Sequence, residues 1–152
     1  IYPRLGYPSH SGGLEKAFIE FLDKDAEVER FLKINESGHS FAIIFYVRKD
    51  GLMATYHPDF IVATSEKLYL IETKGDDKVN DINVRQKQTA TIEWIKKINT
   101  LEPIYRMNRT WEYVLIGESV FYSLSGSGAT ISDICNQCKV SYSMATGNLF
   151  EI

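Results

Sequence analysis

The sequence predicts an α/β domain in which a mixed sheet is flanked by helices. Three observations predict it: apolar residues at helical spacing near both ends of the pattern, β-branched and aromatic runs of strand length between them, and turn signals separating those runs. The predicted order is helix, three strands, helix, strand. The chain has 152 residues, no internal repeat and no low-complexity tract, so residues 1–152 are read as one domain with a sizeable core.

After a lead-in rich in Pro, Gly and Ser, positions 14, 17, 18, 21 and 22 are apolar, and Gly12-Gly13 marks the start of that helix. Residues 23–34 continue the helical pattern with Val28, Phe31 and Leu32 on one face, and Ser37-Gly38 ends it. A second helix and a kinked extension of the first fit this stretch equally well. Residues 41–48 form a strand, followed by the turn signal Lys49-Asp50-Gly51. Residues 55–63 are a second strand, 64–67 its turn, and 68–74 a third strand closed by Gly75. The polar stretch 76–83 is a loop. Residues 84–98 return to a helical period, with Val84, Ala90, Ile92, Trp94, Ile95 and Ile98 facing the core. Residues 111–116 make the fourth strand, stopped by Gly117. Ser125-Gly126-Ser127-Gly128 reads as a flexible loop, and residues 131–138 as a short helix.

No run of about 18 apolar residues exists, which excludes a membrane-spanning helix of the usual kind. The start, Ile1-Tyr2-Pro3-Arg4, carries neither Met nor a signal-peptide pattern, which suggests a C-terminal piece of a longer protein. Two cysteines, Cys135 and Cys138, are too few for a disulfide framework and suit a reducing cytoplasm. The net charge of −3 argues against a domain that grips DNA strongly by itself, because phosphate neutralisation supplies most of such affinity. It leaves open a catalytic module whose DNA is delivered by attached domains.

The chemistry concentrates in Tyr56-His57-Pro58-Asp59-Phe60-Ile61-Val62 and Leu70-Ile71-Glu72-Thr73-Lys74-Gly75. Side chains alternate along a strand, so Glu72 and Lys74 point to the side shared by Leu68 and Leu70, while Tyr69, Ile71 and Thr73 face the other way. If residues 64–67 close a hairpin, symmetric pairing outward from that turn sets Asp59 opposite Glu72. Two carboxylates and an ammonium then converge at one end of a sheet. Mg²⁺ explains the pairing, since it takes one or two protein carboxylates and keeps the rest of its shell for water and phosphate. Asp59 and Glu72 would supply carboxylates, and the backbone carbonyl of Thr73 a third oxygen. The ion would polarise a phosphodiester and acidify an attacking water, and Lys74 would position that water or offset developing charge. Without a cation, the carboxylates would repel each other and raise one pKa. Alone, Glu-x-Lys is more often a surface ion pair and Pro-Asp a turn signal. Together, with apolar flanks and hairpin spacing, they reverse that balance.

Pro58-Asp59 followed by Glu72-Thr73-Lys74 resembles the PD-(D/E)xK motif of the restriction-endonuclease-like superfamily. The predicted order is similar to that family's αβββαβ core, with its mixed central sheet flanked by helices. Gly12-Gly13-Leu14-Glu15-Lys16-Ala17-Phe18, His57 to Val62, Ile71 to Gly75 and Lys87…Trp94 further resemble the C-terminal nuclease domain of type III restriction enzyme Res subunits, over roughly residues 12–117. The resemblance implies that Asp59 and Glu72 are metal ligands and Lys74 the catalytic lysine. Glu15 matches an acidic residue that often contacts the metal or its water; a helix-N-terminal Glu favoured by the macrodipole explains it equally well. Glu20 is a weaker substitute. Lys87 would approach phosphate from a face shared with Ala90, Thr91 and Trp94, a solvated lysine being the plainer alternative. Gln86 and Gln88 carry little, because the aromatic partner expected four residues later is absent.

Other signals are weak. Cys135-x-x-Cys138 has metal-ligand spacing but no second pair, so free or structural thiols are the better reading, and a four-cysteine iron–sulfur cluster is excluded. The glycine-serine stretch lacks the Lys-Ser/Thr of a phosphate-binding loop, so no ATP site is expected. His10 and His39 are scattered, and His57 is a cleft-edge spectator or a lining residue beside Asp59.

The expectation is a Mg²⁺-dependent DNA endonuclease domain, with Mn²⁺ able to substitute. The type III resemblance implies double-stranded DNA as substrate, a helicase-like motor domain in the same polypeptide and a methyltransferase/specificity subunit as partner. Two rivals stand beside it. One is a stand-alone DNA repair or junction-resolving nuclease of the same superfamily, which should carry its own basic groove. The other is a non-enzymatic DNA-binding module that retains the fold, which has no reason to keep Asp59, Glu72 and Lys74 together.

Overall fold

A computed structural model describes residues 12–78 and 82–141. The lead-in with His10, and residues 79–81 of the predicted loop, lie outside them. The chain folds as α1 (Gly12–Lys24), β1 (Arg30–Lys33), β2 (Ile44–Val47), β3 (Met53–Tyr56), β4 (Phe60–Ala63), β5 (Lys67–Lys74), a 3₁₀ turn (Asp76–Lys78), α2 (Ile82–Asn99), a second 3₁₀ turn (Pro103–Arg106), β6 (Thr110–Gly117), α3 (Glu118–Gly126) and α4 (Ile131–Cys138). Four strands form a mixed sheet in the order β1-β4-β5-β6, and β2 and β3 form a separate two-stranded ribbon. β1-β4 and β4-β5 pair antiparallel, and β5-β6 pair parallel. The fold is therefore α/β, with a mixed sheet flanked by helices.

The β4-β5 hairpin sits where symmetric pairing about residues 64–67 puts it: Phe60 faces Ile71 and Ala63 faces Leu68. The Thr64 N–H donates to the Lys67 carbonyl at 2.9 Å and closes the turn. Because alternate residues of β5 face opposite ways, each set founds its own core. Tyr69 and Ile71, with Phe60 and Val62 from β4, pack against Phe18 and Leu22 of α1, Phe121 of α3 and Ile131 of α4. Leu68 and Leu70 pack on the other face with Ile92 and Ile95 of α2 and with Ile44 and Tyr56 of the ribbon. A strand buried on both faces suits the near-continuous apolar run of residues 68–71.

Three local expectations are corrected. Residues 23–34 do not continue a helix: α1 stops at Lys24, and Arg30–Lys33 form the edge strand of the main sheet. Phe31 pairs with Val62 and Leu32 with Ile61, so sheet pairing overrides a weak helical spacing. The stretch 55–63 is not one strand. It is divided at residues 57–59 between the ribbon and the sheet, where Pro58 has no N–H to offer a ladder. Finally, Ser125-Gly126 ends α3 instead of opening a loop, and Gly128, at φ +86°, supplies the left-handed turn that follows. The short helix at 131–138 forms as α4. Thr130 and Asp133 make its capping box, and Asp25 accepts from the Ile131 N–H at 2.8 Å. No helix among the described residues is long and apolar enough to cross a membrane.

Candidate active site

Asp59 lies just before β4, and its backbone carbonyl accepts from the Ile34 N–H at 2.8 Å, which anchors the segment to the end of β1. Its side chain turns to β5. Both the N–H (2.8 Å) and the hydroxyl (2.9 Å) of Thr73 donate to Asp59 Oδ2. Glu72 is only 3% exposed. Its Oε2 accepts the Tyr56 hydroxyl at 2.7 Å, and its Oε1 lies 2.5 Å from Lys74 Nζ. Lys74 thus reaches from the buried Glu72 to a surface cleft of about 440 Å³, which Glu15, Asp59, Thr73, Lys74, Lys78 and Glu118 help to line. Hairpin register makes this convergence, and the Gly75 turn leads out of it. A Cβ at Gly75 would meet Asp77 Oδ1 at 3.0 Å.

The electrostatics follow from burial and charge count. Burial, then the charge of Glu72, push the Asp59 carboxyl up to about 7, against the Thr73 N–H and the Lys74 ammonium. Burial alone would lower the pKa of Lys74; Glu72, Asp59 and Glu15 outweigh it and hold the ammonium more firmly protonated than usual. Tyr56 is raised well above an ordinary tyrosine, by burial first and then by Tyr113 and Glu72, so its hydroxyl keeps its proton and donates.

The structure brings Asp59, Thr73, Lys74 and Glu15 to one cleft, with Glu72 beneath it. Thr73 contributes its N–H and hydroxyl to holding Asp59, a role that the sequence reading, intent on its carbonyl, missed. Glu15 forms a 2.7 Å ion pair with Lys33 of β1, each side chain 15% exposed. Lys33 also lies 5.3 Å above the Phe60 ring. It went unnoticed because its segment looked helical. Glu20 is exposed and pairs with Lys16. Lys87 is not brought to the cleft: its ammonium stands over the Tyr56 ring at 5.1 Å and the Tyr46 ring at 5.8 Å. Gln88 is buried within α2. His57 Nε2 is buried without a hydrogen-bond partner, and the imidazole does not line the cleft. Cys135 and Cys138 are free thiols, the first fully buried in the α1/α4 core.

Among the described residues, no three His, Cys, Asp or Glu side chains gather into a metal-holding group. The donor chemistry nevertheless fits a hard divalent cation. Asp59 and Glu72 are the two carboxylates such an ion usually takes, and Asp59, raised by burial first and by the Glu72 charge second, is a carboxylate whose ionised form a nearby cation would favour. Comparison with protein-family models, with curated proteins and with solved structures returned no match.

Proposed function

We propose that this chain is a Mg²⁺-dependent DNA endonuclease domain of the PD-(D/E)xK class, with a restriction-endonuclease-like core. The observation that carries the proposal is the β4-β5 register, which sets Asp59, Glu72 and Lys74 at one sheet end beside a cleft. The main-sheet elements α1, β1, β4, β5, α2 and β6 run in the αβββαβ order expected of that class, the ribbon β2-β3 being inserted after β1. A divalent cation, when bound by Asp59 and Glu72, would supply charge to the scissile phosphate and acidify the attacking water. Thr73 holds the Asp59 carboxylate in place through two donors. Lys74 offsets the negative charge that develops on phosphoryl oxygens, and Lys78 on the cleft wall favours phosphate approach.

The segments around Gly12–Phe18 and His57–Val62 make the cleavage module of a type III restriction enzyme Res subunit the best particular reading. In that setting the DNA would be delivered in the cytoplasm by a motor domain of the same polypeptide and a methyltransferase/specificity subunit. The net charge of −3 supports such dependence. The test is incubation with supercoiled plasmid and Mg²⁺ or Mn²⁺, beside Asp59→Ala and Lys74→Ala. Nicking by the wild type and by neither variant is expected. Inactivity of the wild type, even when joined to its native flanking domains, would sink the proposal.

A further inference from the structure

We infer that Tyr56 is the positioning residue of the site, setting which oxygen of Glu72 is presented to a divalent cation; the inference rests on the nuclease reading above. Tyr56 belongs to the ribbon, not to the main sheet, yet it is 4% exposed and its hydroxyl reaches Glu72 Oε2 at 2.7 Å. A phenol has one hydrogen to give. With that hydrogen on Glu72, the 3.4 Å contact between the Tyr56 and Tyr113 oxygens must be donated by Tyr113. The donation order is therefore Tyr113 to Tyr56 to Glu72, and each bond polarises the next. The chain occupies Oε2 from the buried side and leaves Oε1 as the oxygen shared with Lys74 at the cleft end.

The ring of Tyr56 is held independently of its hydroxyl. It packs in the cluster with Ile44, Leu68, Leu70 and Tyr113, and the Lys87 ammonium lies 5.1 Å from its centroid. Removing only the oxygen therefore spares the packing and the cation–π contact. It frees the Glu72 carboxylate to rotate and strands Oε2 without its donor. Residues that orient a metal-ligating carboxylate affect cation affinity by about 10–100-fold when lost.

The experiment titrates Mn²⁺ into the metal-free domain and follows the free-ion electron paramagnetic resonance signal, for wild type, Tyr56→Phe and Ile95→Val. Circular dichroism and thermal melting of each variant establish that it is folded. Ile95 belongs to the same core cluster and has no hydrogen-bonding group, so it reports on loosened packing alone. Mn²⁺ affinity at least threefold weaker in Tyr56→Phe, with Ile95→Val unchanged, is the expected result. A smaller change in Tyr56→Phe, or an equal loss in both variants, overturns the positioning role and leaves the nuclease reading intact. Absence of Mn²⁺ binding by the wild type overturns both.

Discussion

The two ends of β5 each carry a buried glutamate beside lysine, and they behave in opposite ways. At the end remote from the cleft, Glu112 of β6 is 7% exposed, and its Oε1 lies 2.9 Å from Lys67 and 3.1 Å from Lys139. Burial would raise its pKa, but the two lysines hold it below the ordinary glutamate value, even with Oε2 buried and unbonded. At the cleft end, Asp59, Glu72 and Glu15 stand with Lys74 and Lys33, Glu118 and Lys78 also lining the cleft, and burial first, then the Glu72 charge, raises Asp59 to about 7. One set holds more cations than acids and the other fewer. Ion pairing that is complete serves the fold; an excess of buried carboxylate marks a place where a further cation is stabilising.

The largest effect should separate the two ends by activity. Lys74→Ala is expected to lower plasmid nicking by about 10²–10³-fold, the usual loss for one charge-stabilising donor, whereas Glu112→Gln should leave the rate within about twofold. Glu112→Gln should instead register in urea unfolding, at about 1–2 kcal/mol, because both lysines are partly exposed and relax into water. Equal activity losses in the two variants would erase the contrast.

Asp59→Asn tests the cost of ionising this buried carboxyl in metal-free protein. The folded pKa of about 7 stands above the ordinary aspartate value of 3.8, so the native state binds this proton more tightly than the unfolded chain. Stability from this group is complete below about pH 4 and is lost as pH rises through 7. The asparagine variant should therefore melt higher than wild type at pH 8, on the order of 5 °C, and by less at pH 5. No difference between the two pH values would break the comparison. Smallest is Thr73→Val, which removes the hydroxyl donor at 2.9 Å and keeps the N–H. About 0.5–1.5 kcal/mol of stability is expected to go with it, measured by the same urea titration.

Legibility tracked how local the determining interaction is. The turn at 64–67, the alternation along residues 68–74 and the opposition of Asp59 and Glu72 all follow from period-two geometry, and the pairing of Phe60 with Ile71 agrees with them. Residues 23–34 were illegible because the strand at Arg30–Lys33 exists only through pairing with β4. That error also hid Lys33 as the partner of Glu15. The split at Pro58 was visible in the residue itself, yet its consequence, Tyr56 leaving for another sheet and returning its hydroxyl to Glu72, depends on packing against α2 that no spacing announces.

The hairpin that holds the site also sets the chain entropy of assembling it. Thr73 reaches Asp59 across 14 positions and Tyr56 reaches Glu72 across 16, while β6 pairs with β5 only after the whole α2 crossover, Lys67 meeting Thr110. Each doubling of a closed loop costs about 0.6 kcal/mol, and distant pairings form later and more slowly. The donor pair therefore belongs to a short stretch of chain that can find its register early. The pairing of β6 with β5 and the docking of α1, whose Leu14 and Glu15 line the cleft, close longer loops and cost more chain entropy.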